Sequence, residues 1–289
     1  MTYFSSCLNQ HEPWFQFKHD CVRHLAFTLA SPNIISQVPE ELRLETPFEL
    51  HSTSFWLQQY DHYVQRLKAL DQDPSPLLEF LGQLRSTRIG LRFEYMLWFW
   101  LLDTEYHAYK LIGHSIQKMK GTQTIGELDF LVYNTTEQRI EHWEVALKYY
   151  LGEKDLSLPY WYGLNREDTL LKKLAYFTER QFQFEEALGH SIDQRFAVLK
   201  GQLYRPQHMQ HPKLPEWLNS HRRIGYWGFQ TQADFRRLTR HEWMCPQLHG
   251  STTPALWWSN GLYVNTQNPA DCYMFRQAPA VPWVPGMFE

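Results

Sequence analysis

Cysteine is scarce, no glycine-rich phosphate loop is visible, and no long apolar run occurs; each shortage excludes something. Cys7, Cys21, Cys245 and Cys272 are widely spaced and form no CxxC pair. They indicate neither a disulfide framework nor a zinc ribbon. His11, His19, Cys21 and His24 cluster loosely, but their spacing fits no common zinc finger. The longest apolar runs, such as residues 96–102, fall far short of the ~20 residues that span a bilayer. The first residues lack a basic start followed by an apolar stretch, so no secretory signal is expected. The expectation is a cytoplasmic protein with no membrane partner. A net charge of −3 also argues against a strong non-specific polyanion binder.

Aromatic residues are abundant: 12 Trp, 16 Tyr and 18 Phe in 289 residues. With 43% hydrophobic and 20% charged residues, the chain can bury a sizeable core. The charge is unevenly spread. Residues 1–193 hold 18 Lys+Arg against 26 Asp+Glu, whereas residues 194–289 hold 10 against 5. Arg222, Arg223, Arg236, Arg237 and Arg240 lie among aromatics in that basic third, a mix suited to following phosphates and stacking on bases. Arg222 and Arg223 are the substrate-binding candidates there.

Three regions are expected. Residues 1–75 read as helical, with breaks at residues 31–33 and 46–47 and an amphipathic stripe from Phe55 to Leu70. Residues 76–205 read as a long helix over 77–102, strands over 106–120, 126–133 and 139–151, a helix over 167–187 and a strand over 195–204. Residues 206–289 read as an irregular β-rich extension, rich in aromatics and Arg, packed on the core, with strand pieces at 224–229 and 255–264.

The middle region carries the chemistry. Strand alternation puts Leu128, Phe130 and Val132 on one face of the second strand and Glu127 and Asp129 on the other. On the third strand, Trp143, Val145, Leu147 and Tyr149 oppose His142, Glu144, Ala146 and Lys148. A hairpin of the two lets Asp129, Glu144 and Lys148 share one space. Neighbouring carboxylates repel unless a cation lies between them, and Mg²⁺ takes such oxygens together with water and phosphate. Glu94 sits in the apolar run of the long helix, where an acid needs a partner. Each acid could also serve as an ordinary solvated or ion-paired residue.

A Glu on a helix, an Asp on one strand and a Glu with a downstream Lys on the next resemble the PD-(D/E)XK nuclease superfamily. More closely, residues 88–94, 126–131, 142–151, 161–165 and 168–174 resemble the bacterial family DUF1853, which is placed in that superfamily. The resemblance implies an α/β, restriction-endonuclease-like αβββαβ core. It also implies Mg²⁺ or Mn²⁺ held by Asp129, Glu144 and Glu94, with Lys148 as the catalytic lysine beside Asp129 and Glu144. Lys172 on the second helix and His142 beside Glu144 complete the expected substrate contacts. One departure is plain: the superfamily lysine follows the acid by two residues, where this chain has Ala146, and Lys148 lies ~6–7 Å further along.

The expected function is a Mg²⁺-dependent nuclease acting on DNA. An inactive nuclease-like fold that binds nucleic acid or protein is the alternative, and a small-phosphoester hydrolase is a further rival.

Overall fold

Ser52 starts the clearest helix of the N-terminal region, its side chain accepting the Phe55 N–H at 3.1 Å. The computed structural model describes residues 12–210, 212–247 and 250–278; Cys7 and His11 lie outside them. The helix begun at Ser52 is α2 (Thr53–Gln72), and α1 (Asp20–Ala30), buried almost end to end, packs against it. The long helix expected over 77–102 is two helices, α3 (Ser75–Leu81) and α4 (Ile89–Leu102). Between them the Ser86 hydroxyl accepts the Arg88 N–H at 3.2 Å, a local turn that competes with continued helix.

The three expected strands form an antiparallel meander: β1 (Tyr109–Lys120), β2 (Gln123–Asn134) and β3 (Arg139–Gly152). The second turn is closed by the Asn134 side chain, which accepts the N–H groups of Thr136 and Glu137 at 3.1 Å. A short β4 (Trp161–Tyr162) pairs with β3. The helix expected over 167–187 is much shorter: α5 (Leu170–Tyr176) followed by a π-helical turn, Phe177–Gln181. Beyond it, buried Phe182 and Phe184 flank exposed Gln183, a period of two that suits extended chain. A small hairpin follows, β5 (Glu186–Ala187) with β6 (His190–Ser191).

β7 (Gln194–Pro206) then runs parallel to β3 from Glu141↔Gln194 to Leu151↔Tyr204. Opposite Lys148 stands Gly201 at φ +126°; a Cβ there would lie 1.8 Å from the Lys148 carbonyl oxygen. Only glycine lets the two chains meet at that point. The chain after residue 206 contributes β8 (Gly225–Gly228), β9 (Phe235–Arg237), β10 (Gly261–Asn265) and β11 (Cys272–Phe275). These strands continue the same sheet, in the order β1-β2-β3-β7-β8-β11-β10-β9, to give a large mixed α/β sheet.

The two faces of β3 serve different cores. Trp143 and Leu147 join the cluster of α1, α2 and α4, with the Trp143 ring against Trp56, Trp100 and Tyr109. Ala146 and Tyr150 join Leu170, Leu174 and Phe177 of α5 and its π-turn. Each large apolar side chain so buried contributes about 1.5–3 kcal/mol before conformational entropy is counted. Among the described residues, no helix is long and apolar enough to cross a membrane.

Candidate active site

The β2–β3 ladder runs from Asn134↔Arg139 to Phe130↔Trp143 and ends there. One step further, the same register sets Asp129 opposite Glu144. Side chains now replace main-chain pairing: the Val145 N–H donates to Asp129 Oδ2 at 2.8 Å, and the Asp129 N–H to Glu144 Oε1 at 3.3 Å. As the strands part, β2 changes face. Leu128 packs with Leu131, Phe184 and Ile192, while Phe130 and Val132 stay in the core of α1, α2 and α4. The alternation that grouped Leu128 with Phe130 and Val132 therefore breaks at Asp129.

α5 and its π-turn reach into the opening. Gln181 donates its amide N–H to Glu144 Oε2 and accepts from Lys173 Nζ at 2.8 Å. π-helical turns are rare and concentrate at functional sites. His142 Nε2 lies 2.7 Å from Glu144 Oε1, and the imidazole is fully buried. Among the described residues, its Nδ1 has no hydrogen-bond partner.

The electrostatics are those of a dry, crowded site. Burial first, then the neighbouring Glu144, pushes the Asp129 carboxyl well above the usual carboxylate range, and Glu94 adds in the same sense. Burial pushes Glu144 up to about 8, against the pull of Lys173, the Asp129 N–H, the Asp129 carboxyl and Gln181. Both carboxyls are thus biased toward the protonated form and titrate as a pair. Burial lowers Lys173 to about 8, although Glu144 and Asp129 oppose that shift. Burial also holds His142 down at about 3, so its ring is neutral. The contact between its Nε2 and Glu144 Oε1 fixes the Glu144 carboxyl in place.

The other expected residues are placed as follows. Glu94 takes His114 as its partner, Oε1 to Nε2 at 2.8 Å, with the Ser115 hydroxyl at 3.4 Å. Lys148 forms an ion pair with Asp168 at 2.8 Å, and Tyr150 donates to the same carboxylate at 3.3 Å. Lys172 faces outward and donates to the Glu167 carbonyl at 3.0 Å, away from the acids. Arg222 and Arg223 are not surface groups: they pair with Glu12 at 2.8 and 2.9 Å, and Arg222 packs against Trp14 and Phe27. Their aromatic neighbours mark an interior, which is why the Arg/aromatic mix misled.

Of the second-helix residues Lys172, Lys173, Arg180 and Gln181 that the sequence offers, Lys173 and Gln181 rather than Lys172 reach the acids. Asp168 and His114 are site residues to which sequence reasoning assigned no role. For Lys173 a signal existed. Leu170 and Leu174 are the buried residues of α5, and Lys173 shares the Leu170 side at a spacing of three. Lys172 does not.

Among the described residues, no group of three or more His, Cys, Asp or Glu side chains is arranged to hold a metal ion. The donor set is a carboxylate pair, Asp129 and Glu144, with Glu94 turned to His114. A hard divalent ion commonly takes only one or two protein carboxylates, completing its shell with water and phosphate oxygens. The pair fits that demand, because a cation there would offset the repulsion that raises both carboxyls.

No curated protein matches the chain, and no solved structure matches it. A family model described as DUF1853, a domain of unknown function, matches residues 23–268. That span covers most of the sequence, and the chain belongs to the DUF1853 family.

Proposed function

We propose that this protein is a Mg²⁺- or Mn²⁺-dependent nuclease of the PD-(D/E)XK type, hydrolysing phosphodiester bonds in DNA. One observation carries the reading: buried Asp129 and Glu144 face each other where β2 and β3 part, with Lys173 and Gln181 brought to them from α5 and its π-turn. The order α4, β1, β2, β3, α5, β7 supports a restriction-endonuclease-like αβββαβ core. Asp129 and Glu144 would hold the ion, whose chemistry is to polarise phosphoryl oxygen and water.

The remaining roles belong to this chain's own groups. Lys173 holds a positive charge within reach of the acid pair, where charge on a phosphate builds up during hydrolysis. In this reading it supplies the amine that Ala146 lacks, while Lys148 stands further out, bound to Asp168. Gln181 orients both Lys173 and Glu144. His142 keeps the Glu144 carboxyl from rotating. Glu94 would act through the His114 contact or by closing on the ion.

A second reading has its own support. Asp129 and Glu144 already spend oxygens on main-chain N–H groups, and Lys148 is engaged with Asp168. A nuclease-like fold that binds nucleic acid without cutting would be built this way. Calorimetric titration with Mg²⁺ or Mn²⁺, together with cleavage of mixed duplex and single-stranded DNA, separates the two. Metal binding and cleavage lost together in Asp129→Asn/Glu144→Gln, with the fold retained, would support the nuclease. A well-folded wild type indifferent to both ions would overturn it.

A further inference from the structure

Leu256 and Trp257 are 86% and 90% exposed, next to a loop base that is firmly built. The neighbouring Trp258 lies flat on Tyr263, with ring centroids 4.0 Å apart and planes at 9°. Its indole N–H reaches the Ala255 carbonyl at 3.2 Å, and Tyr263 Oη both accepts the Ser259 N–H and donates to the Ser259 carbonyl at 3.0 Å. The Ala255 N–H is tied to the Phe235 carbonyl at 2.8 Å. A turn pinned at so many points leaves Trp257 in solvent although it half-buries Trp258. Burial of an indole is favourable, so an indole held out on a stiff base is poised for an external partner.

The surroundings say which partner. Arg237 donates to the Asn260 carbonyl at 3.1 Å, three residues from Trp257, and both Arg237 and Arg240 are exposed. Arg240 lies over the Trp243 ring at 4.1 Å and is close enough to Arg237 to feel its charge. Among the described residues, neither has an acidic ion-pair partner, in contrast to Arg222, Arg223 and Arg236. A guanidinium group bound at the base of a presented indole, with a second one next to it and no described acid paired to either, matches the groups that bind a nucleic-acid strand: cations for phosphates and a ring for a base. Duplex bases are already stacked on each other, so the indole can take only unpaired ones.

We infer that the Leu256–Trp257 turn, with Arg237 and Arg240, is a stacking platform for unpaired nucleotides. It rests on the nucleic-acid part of the proposed function and names the substrate feature: a single strand or frayed end. The platform stands four strands from β3, about 19 Å along the sheet. It would hold the strand at a distance from Asp129 and Glu144 rather than take part in the chemistry.

The test is fluorescence anisotropy of the full chain in EDTA, so that nothing is cut. The probes are labelled oligothymidylate of about 20 nucleotides and a closed-end duplex of similar length. The wild type should prefer the single strand, and Trp257→Ala should weaken that binding about ten-fold, the scale of one lost base stack. Trp257→Phe should keep most of the affinity. Arg237→Ala/Arg240→Ala should flatten the salt dependence by about 1.4 in log–log slope, as expected for two lost phosphate contacts.

Equal affinity of Trp257→Ala and wild type would overturn the platform. So would a concentration-dependent self-association lost in Trp257→Ala with nucleic-acid binding unchanged, which would assign the turn to a protein contact. Cleavage in Mg²⁺, measured on the same samples with Asp129→Asn as control, reports on the nuclease separately. A wild type that cuts while binding ignores Trp257 leaves the nuclease standing and the platform fallen. Trp257-dependent binding without any cleavage is the reverse.

Discussion

Asp129 Oδ2 accepts the main-chain N–H of Val145 at 2.8 Å, one residue beyond the acid that Asp129 faces. The carboxylate therefore joins two strands whose ladder has just ended. Structure and chemistry are coupled at this point, and a substitution has to separate them. Asp129→Asn retains an oxygen for the Val145 N–H but removes the charge. The variant should melt close to wild type yet lose Mg²⁺ binding, with cleavage falling by more than the ~100-fold that loss of a group merely bonded to a metal ligand costs. Asp129→Ala should in addition lower stability by about 1–3 kcal/mol, because the Val145 N–H loses its acceptor. Chemical denaturation and calorimetry on both variants check this.

The adjacent lysines of α5 offer a built-in control. Lys173→Met should reduce cleavage by about 10²–10³-fold, the scale of losing one group that stabilises developing charge. Lys172→Met, at an exposed position bonded only to its own loop, should leave the rate within about two-fold, as surface substitutions do. Similar losses from both would show that the site draws on general charge rather than on the amine held by Gln181.

Glu144 makes stability depend on pH. Its folded pKa, about 8, lies above the ordinary value of 4.5, so the folded chain binds more protons than the unfolded chain between those values. Stability from this group is therefore lost as pH rises through about 8. His142, at about 3 when folded and 6.5 when unfolded, acts in the opposite sense below pH 6.5. The clean window runs from pH 6.5 to 8. In metal-free buffer, the melting temperature of Glu144→Gln minus that of wild type should grow across that window. Groups that do not interact with Glu144 cancel in the difference, while Asp129 and Lys173, freed from Glu144, both shift it in the same direction; a constant difference would contradict a raised Glu144 pKa.

Lys200 is a second buried lysine, and it makes none of the contacts of the site. Its amine donates to the Ser31 carbonyl and lies over the Trp56 ring at 3.7 Å, and among the described residues no acid pairs with it. Burial first, then Arg222, holds its pKa well below the usual lysine range. A depressed base costs stability as pH falls toward its folded pKa, because only the unfolded chain takes the proton readily. The melting temperature of Lys200→Met relative to wild type should thus improve from pH 9 to pH 6. Thermal melts at both pH values measure it.

Glu12 should matter for folding rather than for binding. It serves Arg222 and Arg223 with all three side chains largely buried. Glu12→Gln leaves two cations without their acid and should cost about 3–5 kcal/mol. The salt dependence of DNA binding by the folded fraction should not change, since neither arginine faces solvent.

The sequence carried the fold best where one physical rule acted alone. The stripe from Phe55 to Leu70 became α2, and the alternation around Trp143 became β3 with its two faces as read. It carried less where local and tertiary terms competed. The stretch 77–102 looked like one helix because its apolar period survives across the Ser86 turn. Leu128 changed face because the departure of β2 from β3 is set by Asp129 and Glu144, and periodicity does not register that. The meeting of those two acids was legible from strand parity. Gln181 was not, since its approach depends on a π-helical turn that no spacing rule anticipates.

β11 lies between β8 and β10 in the sheet, yet its residues, Cys272–Phe275, fall after the end of the family match at 268. Among the described residues, the last strand in sequence is thus an interior one in space. A chain ended at 268 would strip β8 and β10 of their common neighbour and leave two raw edges with unpaired N–H and C=O groups. Such a truncation, which removes nothing from the acid pair, should aggregate rather than fold as a smaller version of the protein.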